Sequence, residues 1–259
     1  MSELSQVRAL HRGLDVLEFL GQRGPSSLHQ IHVGTGLPKS SLRRLLATLA
    51  QRRFIRVGLS DGMYRSNIAT LRGVDAQDSI RIGRLVEVAR PHMLHLLEEV
   101  KWPNDLHIFA GDRMRIIEST HGRSPFAGQG VEVETDLNMF VAASGLAYLA
   151  RLPEAQALDL MEQCRADEFA SPDRYGVTTR ELLKDLALVR STGFARRKTT
   201  QLRRSDRRAI AVAVCERSAP VGAIAIAWPS RLMSVDGFAA AHLPALAAAA
   251  AAISKELAD

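Results

Sequence analysis

The chain has 259 residues, 46% of them hydrophobic, with 34 Lys and Arg against 28 Asp and Glu and a net charge of +6. That length and apolar content suit one large core or two smaller ones, so the chain reads as globular. Its two cysteines, Cys164 and Cys215, form no CxxC or metal-ligand spacing, which argues against a secreted disulfide framework.

The charge is unevenly spread. Residues 1–75 carry 11 Lys and Arg against 5 Asp and Glu, and residues 76–259 carry 23 against 23, so the whole excess lies in the first segment. From Glu18 to Asp61 no acidic residue occurs, while Arg23, Lys39, Arg43, Arg44, Arg52, Arg53 and Arg56 do. A localised positive field of this kind suits a polyanion.

Val7, Leu10, Leu14 and Leu17 recur at helical spacing and predict a first helix packed on a small core. Gly24-Pro25-Ser26 interrupts it, and Ser27 followed by Gln30 predicts a capping box opening a short second helix through Leu28, Ile31 and Val33. Gly34-Thr35-Gly36 supplies a turn. Pro38 then fits the start of a third helix, in which Leu42, Leu45, Leu46 and Leu49 form the buried stripe. Lys39, Ser40, Ser41, Arg43, Arg44 and Thr48 fall outside that stripe. Two short helices about a glycine turn, the second cationic outward, are what a helix-turn-helix needs to enter a major groove. Phe54 to Val57 and Met63 to Ser66, either side of Gly58 to Gly62, read as the strands of a wing.

The stretch from Val7 to Leu71, and above all T-G-L-P-K-S-S-L-R-R-L-L-A-T-L from Thr35 to Leu49, resembles the winged helix-turn-helix of IclR-type transcriptional regulators. The resemblance implies that Lys39, Ser40, Ser41, Arg43 and Arg44 face double-stranded operator DNA and that Arg65 on the wing contacts phosphate. Relatives often carry another residue, His among them, where this chain has Arg43, so the operator read there differs. Arg bonds bidentately to guanine and Ser is a tolerant donor or acceptor, which puts specificity first on Arg43 and Arg44.

Asp75 to Val100 predicts a helix, a break or kink at Pro91 and a second helix. Short apolar runs follow at Asp105 to Ala110, Met114 to Glu118, Arg208 to Val214 and Val221 to Ala227, with helical stretches Ser144 to Leu152, Glu154 to Cys164, Thr179 to Thr192 and Val235 to Leu257. The fold class is therefore α+β around an antiparallel sheet flanked by helices. The alanine-rich run of the last helix is broken by Ser254, Lys255 and Glu256, and Met1 is followed by no apolar signal core. The expectation is a cytoplasmic protein with no membrane partner.

K-W-P-N-D-L from Lys101 to Leu106, R-I-I-E-S-T-H from Arg115 to His121, A-S-G-L-A-Y-L-A from Ala143 to Ala150 and A-I-A-V-A-V from Ala209 to Val214 are similar to the effector-binding domain of the IclR family. The first two are closer to its subgroup governing catabolism of aromatic acids such as hydroxyphenylpropionates. The resemblance implies a DNA-binding domain over 1–75, linker helices over 76–100 and a GAF-like effector-binding and oligomerisation domain over 101–259. It also implies a homodimer or tetramer and a small organic acid effector held by Met139, Ser144 and Gly145, with Ala211, Ala213, Ala225 and Ala227 as sheet-side positions. Alanines leave room, Met139 gives an adaptable wall, and Ser144 at a helix start suits a carboxylate.

One departure stands out. Where relatives usually place acidic residues before the strand at Ala209, this chain has Arg196-Arg197-Lys198 and then Arg203-Arg204-Ser205-Asp206-Arg207-Arg208. Such a run is a solvated loop, or a contact for an anionic ligand, RNA polymerase or DNA.

No G-x-S-x-G, Walker A or H-E-x-x-H pattern occurs, and Gly128-Gln129-Gly130 lacks the rest of a dinucleotide fingerprint, so neither catalysis nor a cofactor is expected. His107 and His121, near Asp105, Asp112 and Glu118, read as surface or hydrogen-bonding histidines rather than acid/base or metal groups, and His29 and His32 as polar surface. Two rival readings are an enzyme fused to a DNA-binding domain and an architectural DNA-binding protein without a ligand.

Overall fold

The computed structural model describes residues 7–67, 76–126, 133–199 and 206–258. The chain divides into two compact units, Met1–Glu87 and Val88–Asp259. Gly128-Gln129-Gly130 and Arg203-Arg204-Ser205 lie outside the described residues.

In the first unit, α1 (Arg8–Arg23), α2 (Leu28–Thr35) and α3 (Lys39–Gln51) precede a hairpin of β1 (Ile55–Val57) and β2 (Tyr64–Ser66). The capping box forms as expected, with Ser27 accepting from Gln30 and the Gln30 side chain accepting from the Ser27 amide. Gly36 closes α2 in the left-handed region, at φ 69°, where a Cβ would be penalised. The core joins Val16, Leu17 and Leu20 of α1 to Ile31, Leu42, Leu46, Leu49 and Ile55. This corrects the face expected for α1: Leu17 is buried, but Val7, Leu10 and Leu14 are exposed. The helix carries two overlapping apolar stripes, and the one containing Gly13, Val16 and Leu20 is the one that packs. Val33 is likewise exposed rather than part of the α2 core face.

From Ala76 the chain runs as one helix, α4 (Ala76–Val100), with Pro91 inside it. The expected pair of helices is therefore a single one. Proline removes one backbone donor, and burial of Ala89, Met93, Leu96, Leu97 and Val100 on both sides of it outweighs that loss. The division between the units falls within this helix.

The second unit is built on a six-stranded antiparallel sheet in the order β5-β4-β3-β8-β7-β6. Its strands are β3 (Asn104–Phe109), β4 (Arg113–Ser119), β5 (Asp136–Asn138), β6 (Ala195–Arg196), β7 (Arg207–Glu216) and β8 (Ala219–Pro229). Opposite residues Ala211↔Ala225 and Ala213↔Ala223 share a face, and β3 continues it with Asp105↔Ala225 and His107↔Ala223. These alanines pack in one core with α5 (Ala143–Leu149), α6 (Glu154–Cys164) and α7 (Thr179–Thr192). Ile210, Ile224 and Ile226 alternate onto the other face, where Trp228 stacks on Phe238 of α8 (Val235–Ala258) at 3.7 Å. By length and composition α8 could cross a bilayer. Here it packs on β7 through a side containing Leu246, Ala250 and Ile253.

Candidate nucleic-acid interface and ligand site

The α2–α3 turn is fixed by three hydrogen bonds from two side chains. Thr35 donates to the Ile31 carbonyl at 2.7 Å and accepts from the Leu37 amide, while His32 Nδ1 donates to the Leu37 carbonyl at 2.7 Å. His32 is thus a turn residue, and His29 is exposed. With Leu42, Leu46 and Leu49 buried beneath it, α3 turns Lys39, Ser40, Arg43 and Arg44 to solvent, with Ser41 half-buried at the margin. The face is cationic, short-chained at its start and free of acid.

The wing pairs Ile55↔Ser66, Arg56↔Arg65 and Val57↔Tyr64. Ser26 and Tyr64 exchange backbone bonds of 3.0 and 2.8 Å, which clamp the hairpin to the α1–α2 turn. Arg65 does not reach outward as expected. It is only 4% exposed, and its guanidinium grips the Asp61 carboxylate with bonds of 2.6 and 3.1 Å. Arg65 therefore shapes the tip of the wing, which corrects its assignment as a phosphate contact. Asp61 is drawn below the ordinary carboxylate range: burial opposes the shift, and the bonds from Arg65 and the Met63 amide overcome it. Arg53 pairs with Glu87 at 2.6 Å, an exposed contact of little energy.

In the second unit Met139, Ser144 and Gly145 come together, but as packed core. Met139 and Ser144 are fully or almost fully buried, and the Met139 backbone fills the space a Cβ on Gly145 would need. The Ser144 hydroxyl shares a 2.7 Å hydrogen bond with Nδ1 of His107. It is thus committed to a side chain, and α5 is a helix of only seven residues, so the expected carboxylate seat at Ser144 is not formed. Ala211, Ala213, Ala225 and the half-buried Ala227 do share a sheet face as expected.

His107 and His121 are buried rather than at the surface, and His107 is a hydrogen-bonding histidine through its bond with Ser144. Burial pushes His107 down to about 4 despite the opposing pull of Asp105. Burial also lowers His121, with Asp105 opposing and Arg207 reinforcing the shift. The Cys164 thiol is pushed up to about 11, first by burial and then by Asp112 and Asp167, which leaves it a poor nucleophile. Among the described residues, no group of three or more His, Cys, Asp or Glu is placed to hold a metal ion. Of the arginine-rich run, Arg196 pairs with Asp236 at 3.2 Å, Lys198 with Asp185 at 2.6 Å, and Arg208 donates to the Met233 carbonyl.

Residues 9–57 match the IclR helix-turn-helix domain, and residues 77–255 match the C-terminal domain of the bacterial transcriptional regulator IclR. The chain belongs to the IclR family. It is similar to the Transcriptional repressor IclR of Escherichia coli (strain K12), 26% identical over 199 residues that cover 73% of this chain and 69% of the repressor. Similarity of the same order links it to the Acetate operon repressor of Salmonella typhimurium, 25% identical with the same coverage. Its fold is that of the Thermotoga maritima IclR crystal structure, with a TM-score of 0.57 and 16% identity across 98% of this chain and all of that one. An IclR-family chain is a DNA-binding transcriptional regulator, and the exposed face of α3 lies inside the matched reading domain.

Sequence reasoning missed the burial of Asp105, His107 and His121. A signal was present: in the β3 pattern Asp105-Leu106-His107, two polar residues alternate with an apolar one, which places both on one face of a strand. What the sequence lacked was the register that sets that face against α5 rather than solvent.

Proposed function

We propose that this IclR-family regulator reads a double-stranded operator with Lys39, Ser40, Ser41, Arg43 and Arg44, and that a small organic acid bound by its second unit modulates that reading. The observation that carries the first half is the acid-free cationic face of α3, presented by a turn rigidly held by Thr35 and His32. The second half is supported by the alanine face at Ala211, Ala213, Ala225 and Ala227, where small side chains line the sheet beside buried polar groups. An aromatic acid is favoured because K-W-P-N-D-L and R-I-I-E-S-T-H, the stretches similar to the aromatic-acid subgroup, supply the start of β3 and the later part of β4, the strands nearest Asp105, His107 and His121.

The protein works in the cytoplasm as a homodimer or tetramer, since a helix-turn-helix reading a two-fold operator needs two copies. The acid acts by binding one arrangement better than another, without turnover. Fluorescence anisotropy of the full chain on duplex DNA flanking its own gene tests the reading. Nanomolar, sequence-selective binding that an aromatic acid shifts at least tenfold supports it. Binding of equal strength to any duplex, unaffected by acids, would leave the architectural reading in its place, and consumption of the acid would restore the enzyme.

A further inference from the structure

Four buried side-chain atoms on or beside the alanine face have no hydrogen-bond partner: Oδ1 of Asp105, both ring nitrogens of His121 and Nε2 of His107. Asp105 and His107 alternate on β3 opposite Ala225 and Ala223 and so share a face, while His121 opens the 3-10 turn that follows β4 after Thr120, two residues beyond Ser119, the partner of Asp105. All three side chains are at least nine-tenths buried. Native interiors pair almost all such atoms, so four of them on and beside one sheet face call for a specific explanation. Oδ2 of Asp105 stands 3.8 Å from Nε2 of His121, close enough to attract and too far to bond.

The chemistry of those atoms narrows what fits. A neutral imidazole offers one donor and one acceptor, and an ionised carboxylate offers acceptors only. A second carboxylate placed here would face Asp105 with like charge. An ammonium group would satisfy Asp105 but, offering donors only, would leave the N–H of His121 unmet. A hydroxyl both donates and accepts through one oxygen, which is what the gap between Asp105 and His121 lacks. Nε2 of His107, held in place through the Ser144 bond to its other nitrogen, lies two residues along the strand, roughly 7 Å away.

We propose that Asp105 and His121, with His107 positioned by Ser144, determine ligand specificity, and that the ligand carries a phenolic or alcoholic hydroxyl donating to Oδ1 of Asp105 and accepting from His121. This deepens the reading of the second unit as an acid sensor and rests on it. The acid group of such a ligand lies away from Asp105, and its hydroxyl is read at the Asp105–His121 gap.

Titration calorimetry on the full chain with matched acids tests this: phenylacetate against its 2-, 3- and 4-hydroxy derivatives, and propanoate against lactate. At least one hydroxylated acid is expected to bind tenfold or more tightly than its parent. Preference confined to the aromatic set assigns a phenol, and preference confined to lactate an aliphatic alcohol. Asp105→Leu and His121→Gln, each checked for folding by circular dichroism, are expected to bring the paired affinities within threefold of each other. Asp105→Leu removes a buried unpaired carboxylate, and His121→Gln keeps a polar side chain should the first variant fail to fold. Paired acids that bind equally to the unaltered chain, or a preference that survives in both variants, would overturn the hydroxyl assignment and leave the sensor reading intact wherever the acids still shift DNA affinity. If no acid binds and none alters DNA affinity, both readings fall.

Discussion

Arg43 and Arg44 project from α3 in a segment without acidic residues from Glu18 to Asp61, so their charge is available to DNA. Arg43→Ala or Arg44→Ala is expected to cost roughly 1 to 3 kcal/mol on the specific site and to relax base preference there, measured by anisotropy titration on operator variants. Arg65 should behave differently. Its loss strands a partly exposed Asp61, so Arg65→Ala is expected to lower stability by about 1 to 2 kcal/mol while the salt dependence of DNA binding keeps its slope. A slope reduced by about one at unchanged melting temperature would restore the phosphate contact. His107 gives a pH signature. Its folded value near 4 lies below its ordinary 6.5, so on acidification the unfolded chain takes up the proton first. Stability is therefore fully present above 6.5, falls as pH drops from 6.5 towards 4, and loses about 2 kcal/mol by pH 5, with His121 acting in the same direction. Thermal melts from pH 7.5 to 5 should show this fall, and His107→Gln should flatten it. The polar residue types at these positions were legible in the sequence. That Arg65 points inward and that the histidines are buried was not, because both depend on contacts made in the fold: Asp61 across the wing tip, and α5 over β3.

At the scale of elements, local signals that close within a few residues were readable. The Ser27 box, the Gly36 turn and the α6 and α7 boundaries at Glu154–Cys164 and Thr179–Thr192 follow from caps and periodicity alone. β5 and β6 were not readable, since three and two residues carry no period and exist through pairing with β4 and β7. In α1, two stripes satisfied the same helical spacing, and only the position of the Ile31 and Leu42 side chains selects Val16, Leu17 and Leu20. The close approach of α5 to the chain before it rests on Gly145. Gly145→Ala would set a methyl group against the Met139 backbone, so the second unit should lose about 2 to 4 kcal/mol in denaturant unfolding, with the first unit unaffected. A melting curve unchanged by that substitution would mean α5 can shift without loss.

Over the whole molecule, charge and chemistry are divided between the two units. The positive excess lies in residues 1–75, and the buried unpaired polar groups of the sheet lie in the second unit. Under the proposed function the exposed cationic helix is the reader and the second unit the sensor, and free energy would pass between them through the ligand's preference for one arrangement. The most direct test is a nuclease footprint of the purified chain on the DNA flanking its own gene, at physiological salt, with and without hydroxylated aromatic acids. A discrete protected site that one of these acids strengthens, weakens or shifts is the expected result. Diffuse, salt-labile protection that no acid alters would contradict it, reducing the α3 face to generic attraction for phosphate and leaving the second unit without a role in DNA binding.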